Sequence, residues 1–173
     1  MHSKKHLGFC GLRNTIARRF EHIPDDRQEH KVEHRLYDCL MSAFAMMFFQ
    51  DPSILSFQQR LQDSIQRNNL QTIFNISSIP KDTQLRDIID PLPIEPLNTI
   101  FQDFLAHLQK GKYLTDYQLL GGKYLISVDG SEYFTSEKIH CPSCLKKESG
   151  KKVRFHHQIL QAVIVHPDKR QVL

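Results

Sequence analysis

From Leu36 to Leu108 the apolar residues of this chain recur every three or four positions, and from Tyr124 onward they come in short unbroken runs. A period near 3.6 belongs to helices with one buried face. A short run rich in β-branched and aromatic residues belongs to a strand. The switch divides the chain into a helical part followed by a part made of strands, an α+β arrangement. The 173 residues suffice for one domain with a core, or for a small domain plus a fragment of another.

Residues 1–35 are polar and rich in His, Arg and Lys. Asn14 can cap a short helix carrying Ile16, Ala17 and Phe20, which Pro24-Asp25-Asp26 ends. Arg13, Arg18 and Arg19 could touch phosphates as a basic arm, but the expectation is a solvated, loosely ordered terminus. From His34 the pattern turns helical. Leu36, Leu40, Phe44 and Phe48 repeat every four residues with Met41 and Met47 beside them, a wide face that belongs in a core. Asp51-Pro52 restarts a helix, with Asp as the cap and Pro at the first position. Ile54, Phe57, Leu61 and Ile65 are its buried side, and Asn68-Asn69 its end.

Leu70 to Ile79 has no clear assignment. Asp82 can cap a helix through Leu85, Ile88 and Ile89, with Lys81, Gln84 and Arg86 outward. Those three side chains read equally as part of a small DNA-binding unit and as the wet face of a packing helix. Three prolines between Asp90 and Pro96 make a stiff linker. Leu97, Phe101, Leu105 and Leu108 define the next helix, widened by Ile100 and Phe104 and closed at Lys110-Gly111. Residues 36–112 are thus a helical, candidate DNA-binding region, and residues 113–173 a region of strands.

Gly121-Gly122 punctuates the start of that second region. Tyr124 to Val128 then reads as a strand covered on both faces. Asp129 stands at its end, followed by Gly130. A carboxylate there could ligate a hard divalent cation, or it could end the strand through an Asp-Gly turn. Residues 135–155 read as a loop holding His140-Cys141-Pro142-Ser143-Cys144, then Lys146, Lys147, Lys151, Lys152 and Arg154. Cys-x-x-Cys is half of a zinc site, and His140, His156 and His157 could supply the other ligands. His156 and His157 adjoin on a strand and point to opposite sides, so one of them at most can bind. Structural zinc, unliganded thiols and a redox pair all stay open. The lysines could contact phosphate or be merely solvated. Phe155 to Val165 is a second strand, His166 to Lys169 a turn, and Gln171 to Leu173 the opening of a third strand.

Net charge is +4, compatible with a nucleic-acid partner. The four cysteines, Cys10, Cys39, Cys141 and Cys144, are too few and too uneven for a disulfide framework, so a reducing cytoplasm is expected. The longest apolar run, Leu40 to Phe49, is too short to span a bilayer, so no membrane partner is expected.

Four stretches together resemble the DDE-type transposases of bacterial insertion sequences. They are "KYLISVDGSEYFTSEKIHCPSC" (Lys123 to Cys144), "HHQILQAVIVHPDKRQVL" (His156 to Leu173), and upstream "YDCLMSAFAMMFFQDPSILSFQ" and "NLQTIFNISSIPKDTQLRDIID". The resemblance runs from about Leu36 to the last residue. It implies that residues 113–173 begin a ribonuclease H-like catalytic domain and that Asp129 is the first catalytic carboxylate. In the complete enzyme, Asp129 with a second Asp and a Glu would hold two Mg²⁺ ions for strand cleavage and joining. The partners it implies are double-stranded DNA, both element ends and target, with a homo-oligomer left open. No segment matches the parts that carry the other two carboxylates. Asp90, Asp116 and Asp168 stand in the wrong context. The expectation is therefore the N-terminal part of a transposase, inactive alone, or a non-catalytic DNA-binding or regulatory fragment.

Overall fold

The computed structural model describes residues 7–150, 152–170 and 173. The chain divides into two compact units, Met1–Gly111 and Lys112–Leu173.

The first unit is helical: α1 (Phe9–Glu21), α2 (Leu36–Phe48), α3 (Ile54–Arg60), α4 (Ser64–Phe74), α5 (Asp82–Ile89) and α6 (Glu95–Lys110). α2 lies at its centre. Its sequence is apolar on nearly every side, which suits a helix enclosed by others, and Cys39, Met41 and Ala45 are wholly buried. Around it gather Ile16, Phe20, Phe57, Leu70, Phe74 and Ile100. The buried Asp38 is satisfied in part by the Ser77 amide, which donates to its carboxylate at 3.2 Å. Arg19 on α1 and Asp103 on α6 form a two-pronged ion pair, both bonds 2.6 Å.

The helix ends depart from the sequence-based expectations. α1 begins after Gly8, so Asn14 is interior to it and caps nothing. Its apolar stripe, Ile16, Ala17 and Phe20 with Ile23 beyond, enters the core, so this segment is not a loose arm. Ser53, not Asp51, caps α3 by accepting the Ser56 amide at 3.1 Å, while Asp51 turns to Arg60 at 2.8 Å. The expected long helix breaks after Leu61. Asp63 caps α4 by accepting the Ile65 and Gln66 amides at 2.8 and 3.1 Å. α4 runs through Asn68-Asn69 and ends at Asn75, which takes the left-handed conformation at φ 55°. Burial of Leu70 and Phe74 outweighs the poor helix propensity of the two asparagines. Ile65 falls outside the buried face, 68% exposed. Lys81 occupies the cap of α5, with Asp82 its first residue. Pro96 belongs to the first turn of α6, where its missing N–H costs nothing. At 100° per residue, a helix that points Ile100 inward must turn Phe101 out, and Phe101 is 74% exposed. Among the described residues no helix is long and apolar enough to cross a membrane.

The second unit holds an antiparallel sheet of β1 (Gln118–Leu119), β2 (Lys123–Ser136), β3 (Leu145–Ser149) and β4 (Lys152–Val165), ordered β1-β2-β4-β3. Leu120, Gly121 and Gly122, all at positive φ, turn β1 into β2, and the two glycines take that conformation without steric cost. β2 and β4 pair from Leu125↔Val165 to Ser136↔Phe155. Paired residues share a face. Ile126, Val128, Leu160, Ala162 and Ile164 make one end of one face apolar before it turns polar at the Glu132–Gln158 pair, while Ser127, Asp129, Ser131 and Gln161 make the other face mixed.

Three expectations for this unit are corrected. Tyr124 to Val128 is not covered: Ile126 and Val128 are 57% and 58% exposed, because a single layer of strands buries little of itself. Asp129 neither ends the strand nor makes a turn. It pairs with Gln161 inside β2, and Gly130 stays extended opposite Leu160, since ladder bonding outweighs the Asp-Gly turn preference. Residues 135–155 are not one loop. Ser136 closes β2, and from Leu145 the segment is a hairpin whose turn opens at Gly150, φ 60°. Beyond the turn at His166, residues 171 and 172 lie outside the described residues. Leu173 exchanges two backbone hydrogen bonds with Ile164, at 2.8 and 3.0 Å, so the chain returns alongside β4.

Candidate metal centre

The cysteine motif sits between the end of β2 and the start of β3. Ser136 folds the chain there by accepting the Lys138 and Ile139 amides at 3.1 and 2.9 Å. Cys141-Pro142-Ser143-Cys144 then makes a tight turn, with the Cys144 amide donating to the Cys141 carbonyl at 3.1 Å. The Cys141 amide donates to the Cys144 sulfur at 3.3 Å, which fixes the sulfur inside the turn. β4 brings in His157. A bulge in β2 between Glu132 and Phe134 sets Tyr133 and Phe134 around its ring, both with centroids 5.9 Å away.

The resulting triangle is small. The Cys141 and Cys144 sulfurs are 3.8 Å apart, and His157 Nε2 lies 3.3 and 3.2 Å from them. Zn–S and Zn–N bonds of about 2.3 and 2.0–2.1 Å in a tetrahedron imply edges of roughly 3.8 Å between sulfurs and 3.5 Å between sulfur and nitrogen. The three side chains could therefore hold a metal ion such as zinc with adjustments of a few tenths of an ångström. Among the described residues they are the one group of three or more His, Cys, Asp or Glu gathered this closely.

His140 stands outside the triangle. Its ring stacks on Phe155 at 4.1 Å and 13°, with Nδ1 3.2 Å from the Lys138 carbonyl. His156, one residue from His157, faces the other side of β4. It is 8% exposed, and its Nδ1 has no hydrogen-bond partner. The fourth position of a tetrahedral ion is thus open, to water or to His140 after its ring leaves Phe155.

Asp129 was the expected Mg²⁺ ligand. It is exposed, and its Oδ1 accepts the Gly130 amide at 2.8 Å. No second and third carboxylate gather with it among the described residues. Two hard ions need several oxygens placed together, so these residues do not make a Mg²⁺ site.

The expected DNA-binding side chains differ in their freedom. Lys81 is exposed, but Gln84 donates to Glu33 at 3.2 Å and Arg86 is bridged to Asp82 at 2.9 Å. Lys146, Lys147, Lys152 and Arg154 lie on the β3–β4 hairpin and are exposed. Lys151 lies outside the described residues. Sequence reasoning gave no sign of the His140–Phe155 stack or of the bulge, because both depend on the register of β4 against β2 and β3.

Compared with family models, curated proteins and solved structures, the chain matches none.

Proposed function

We propose that this chain serves DNA transposition as the N-terminal part of a DDE-type transposase, binding duplex DNA and contributing Asp129 as the first carboxylate of a ribonuclease H-like domain. The observation that carries this reading is where the family-like segments fall. Lys123–Cys144 contains all of β2 and His156–Leu173 most of β4, the two strands paired antiparallel, with Asp129 on the open mixed face. The two backbone hydrogen bonds between Leu173 and Ile164 agree with the meander with which the resembled fold begins. Asp129 alone cannot fix two Mg²⁺ ions, so this chain is expected to bind DNA without cutting it. That same solitary carboxylate favours a second reading, a non-catalytic DNA-binding regulator. In either reading zinc at Cys141, Cys144 and His157 is structural.

Fluorescence anisotropy with a labelled duplex tests the shared premise. Binding should weaken steeply between about 50 and 200 mM salt as counterions are released. No detectable binding at low salt would remove both readings. Strand cleavage by the 173-residue chain with Mg²⁺ or Mn²⁺ would show that its carboxylates suffice and exclude the regulator.

A further inference from the structure

The net charge is unevenly shared. Residues 1–111 carry thirteen Lys and Arg against thirteen Asp and Glu, and residues 112–173 carry ten against six, so the whole +4 belongs to the second unit. Within it the hairpin is densest. Between Leu145 and Phe155 lie Lys146, Lys147, Lys151, Lys152 and Arg154 with Glu148 the one carboxylate. The register sorts the described cations by face. Lys147 pairs with Arg154 and Ser149 with Lys152, so Lys147, Lys152 and Arg154 share one side of the ribbon. Lys146 and Glu148 pair with Phe155 and Val153 on the other. Lys146 lies over the Phe155 ring, its Nζ 5.8 Å from the centroid. The candidate metal triangle stands at the base of the same ribbon, with Cys144 directly before β3 and His157 on β4.

We infer that the Lys147–Lys152–Arg154 face of the β3–β4 ribbon is the surface that contacts the phosphates of duplex DNA, and that the ion held by Cys141, Cys144 and His157 fixes the ribbon from which it projects. This rests on the DNA-binding reading above and deepens it by naming the surface. A two-stranded antiparallel ribbon fits the major groove of B-DNA. Three cations on alternate positions of two adjacent strands present a compact positive face to a phosphate row, and all three side chains are exposed. The rival surface on α5 is weaker in charge. Its Arg86 is bridged to Asp82, and Asp87 and Asp90 adjoin it. Glu132 faces the ribbon's basic side from β2, with its carboxyl held below the ordinary range first by a hydrogen bond from Thr135 and then by His156, Lys147 and Arg154. It trims that face by one charge and leaves it positive.

The test compares salt slopes on one labelled duplex for the full chain, for Lys147→Gln/Lys152→Gln/Arg154→Gln, and for Lys81→Gln/Arg86→Gln. Each phosphate contact contributes about 0.9 to the slope of log affinity against log salt. The ribbon variant should lose roughly three units of slope, with zinc content and circular dichroism unchanged, and the α5 variant should lose none. Wild-type binding with an unchanged slope in the ribbon variant, or the loss moved to the α5 variant, would overturn the inference and leave the DNA reading standing. Absence of wild-type binding would instead remove the DNA reading itself. Cys144→Ser in the full chain should lower affinity with the three cations intact. Unchanged affinity in the zinc-free variant would overturn the role of the ion.

Discussion

His156 and His157 are neighbours in the chain and opposites in space, and that alternation decides which of them meets the sulfurs. Elemental analysis of the purified, reduced, metal-replete chain should find up to one zinc per molecule. It should be lost in Cys144→Ser and His157→Ala and kept in His156→Ala and His140→Ala. Loss in His140→Ala would mean that His140 leaves Phe155 to close the site. The Cys-x-x-Cys pair was legible in the sequence, and so was the rule that at most one of the adjoining histidines can reach it. The position of Asp129 was not, because whether Asp-Gly turns or stays extended is settled by its cross-strand partners Gln161 and Leu160. Cys39 makes a different residue-scale prediction. Burial pushes its thiol from an ordinary value of 9.0 up to about 11. The folded chain therefore keeps that proton where the unfolded chain loses it. The associated stability is complete below pH 9 and lost as pH rises through about 11. In native protein at pH 8, iodoacetamide should modify the exposed Cys10 and spare Cys39, and mass spectrometry would show equal labelling if that is wrong.

At the scale of elements, α2 was legible because its apolar repeat is long and strong, whereas α3 and α4 were read as one helix. No Gly or Pro lies between them. The break rests on Asp63, whose carboxylate offers the amides of Ile65 and Gln66 an alternative to continuing the previous helix. Asp63→Ala should cost about 1 kcal/mol. Phe57→Ala, at a side chain with no exposed surface, should cost about 3–5 kcal/mol. Urea titrations followed by the helical circular dichroism signal should rank the two in that order, and the reverse would mean that the cap, not the core, holds this part together. The basic segment was read as loop because lysines and a Cys-x-x-Cys motif resemble surface loops in composition. Composition carries no information about the ladder that Leu145–Ser149 makes with β4.

For the whole molecule, the exposed apolar patch on the sheet was not legible beforehand, since a run such as Tyr124 to Val128 reads as buried wherever it occurs. Ile126, Val128 and Leu160 lie together in that patch, and Leu160 is 79% exposed. An open apolar area of this kind is an aggregation hazard. Leu160→Lys should lower binding of a hydrophobic dye and raise the concentration at which the chain stays monodisperse in light scattering, with zinc content unchanged. No gain in solubility would mean that association uses some other surface, such as the exposed Phe48 and Met47 at the end of α2.

The register of β2 on β4 also has a consequence in time. Ser136 and Phe155 are nineteen residues apart in the chain, and Leu125 and Val165 are forty apart. Ring closure costs entropy that grows with the logarithm of the segment closed. The cheapest first contact is therefore at the hairpin end, and each later pair adds to a ladder already begun. An ion captured by Cys141, Cys144 and His157 would tie off a shorter ring than any the β2–β4 ladder closes, before that ladder exists. With the ion in place the ladder would form in one direction, like a zip run from its fastened end, and without it the chain would have to find that end by chance.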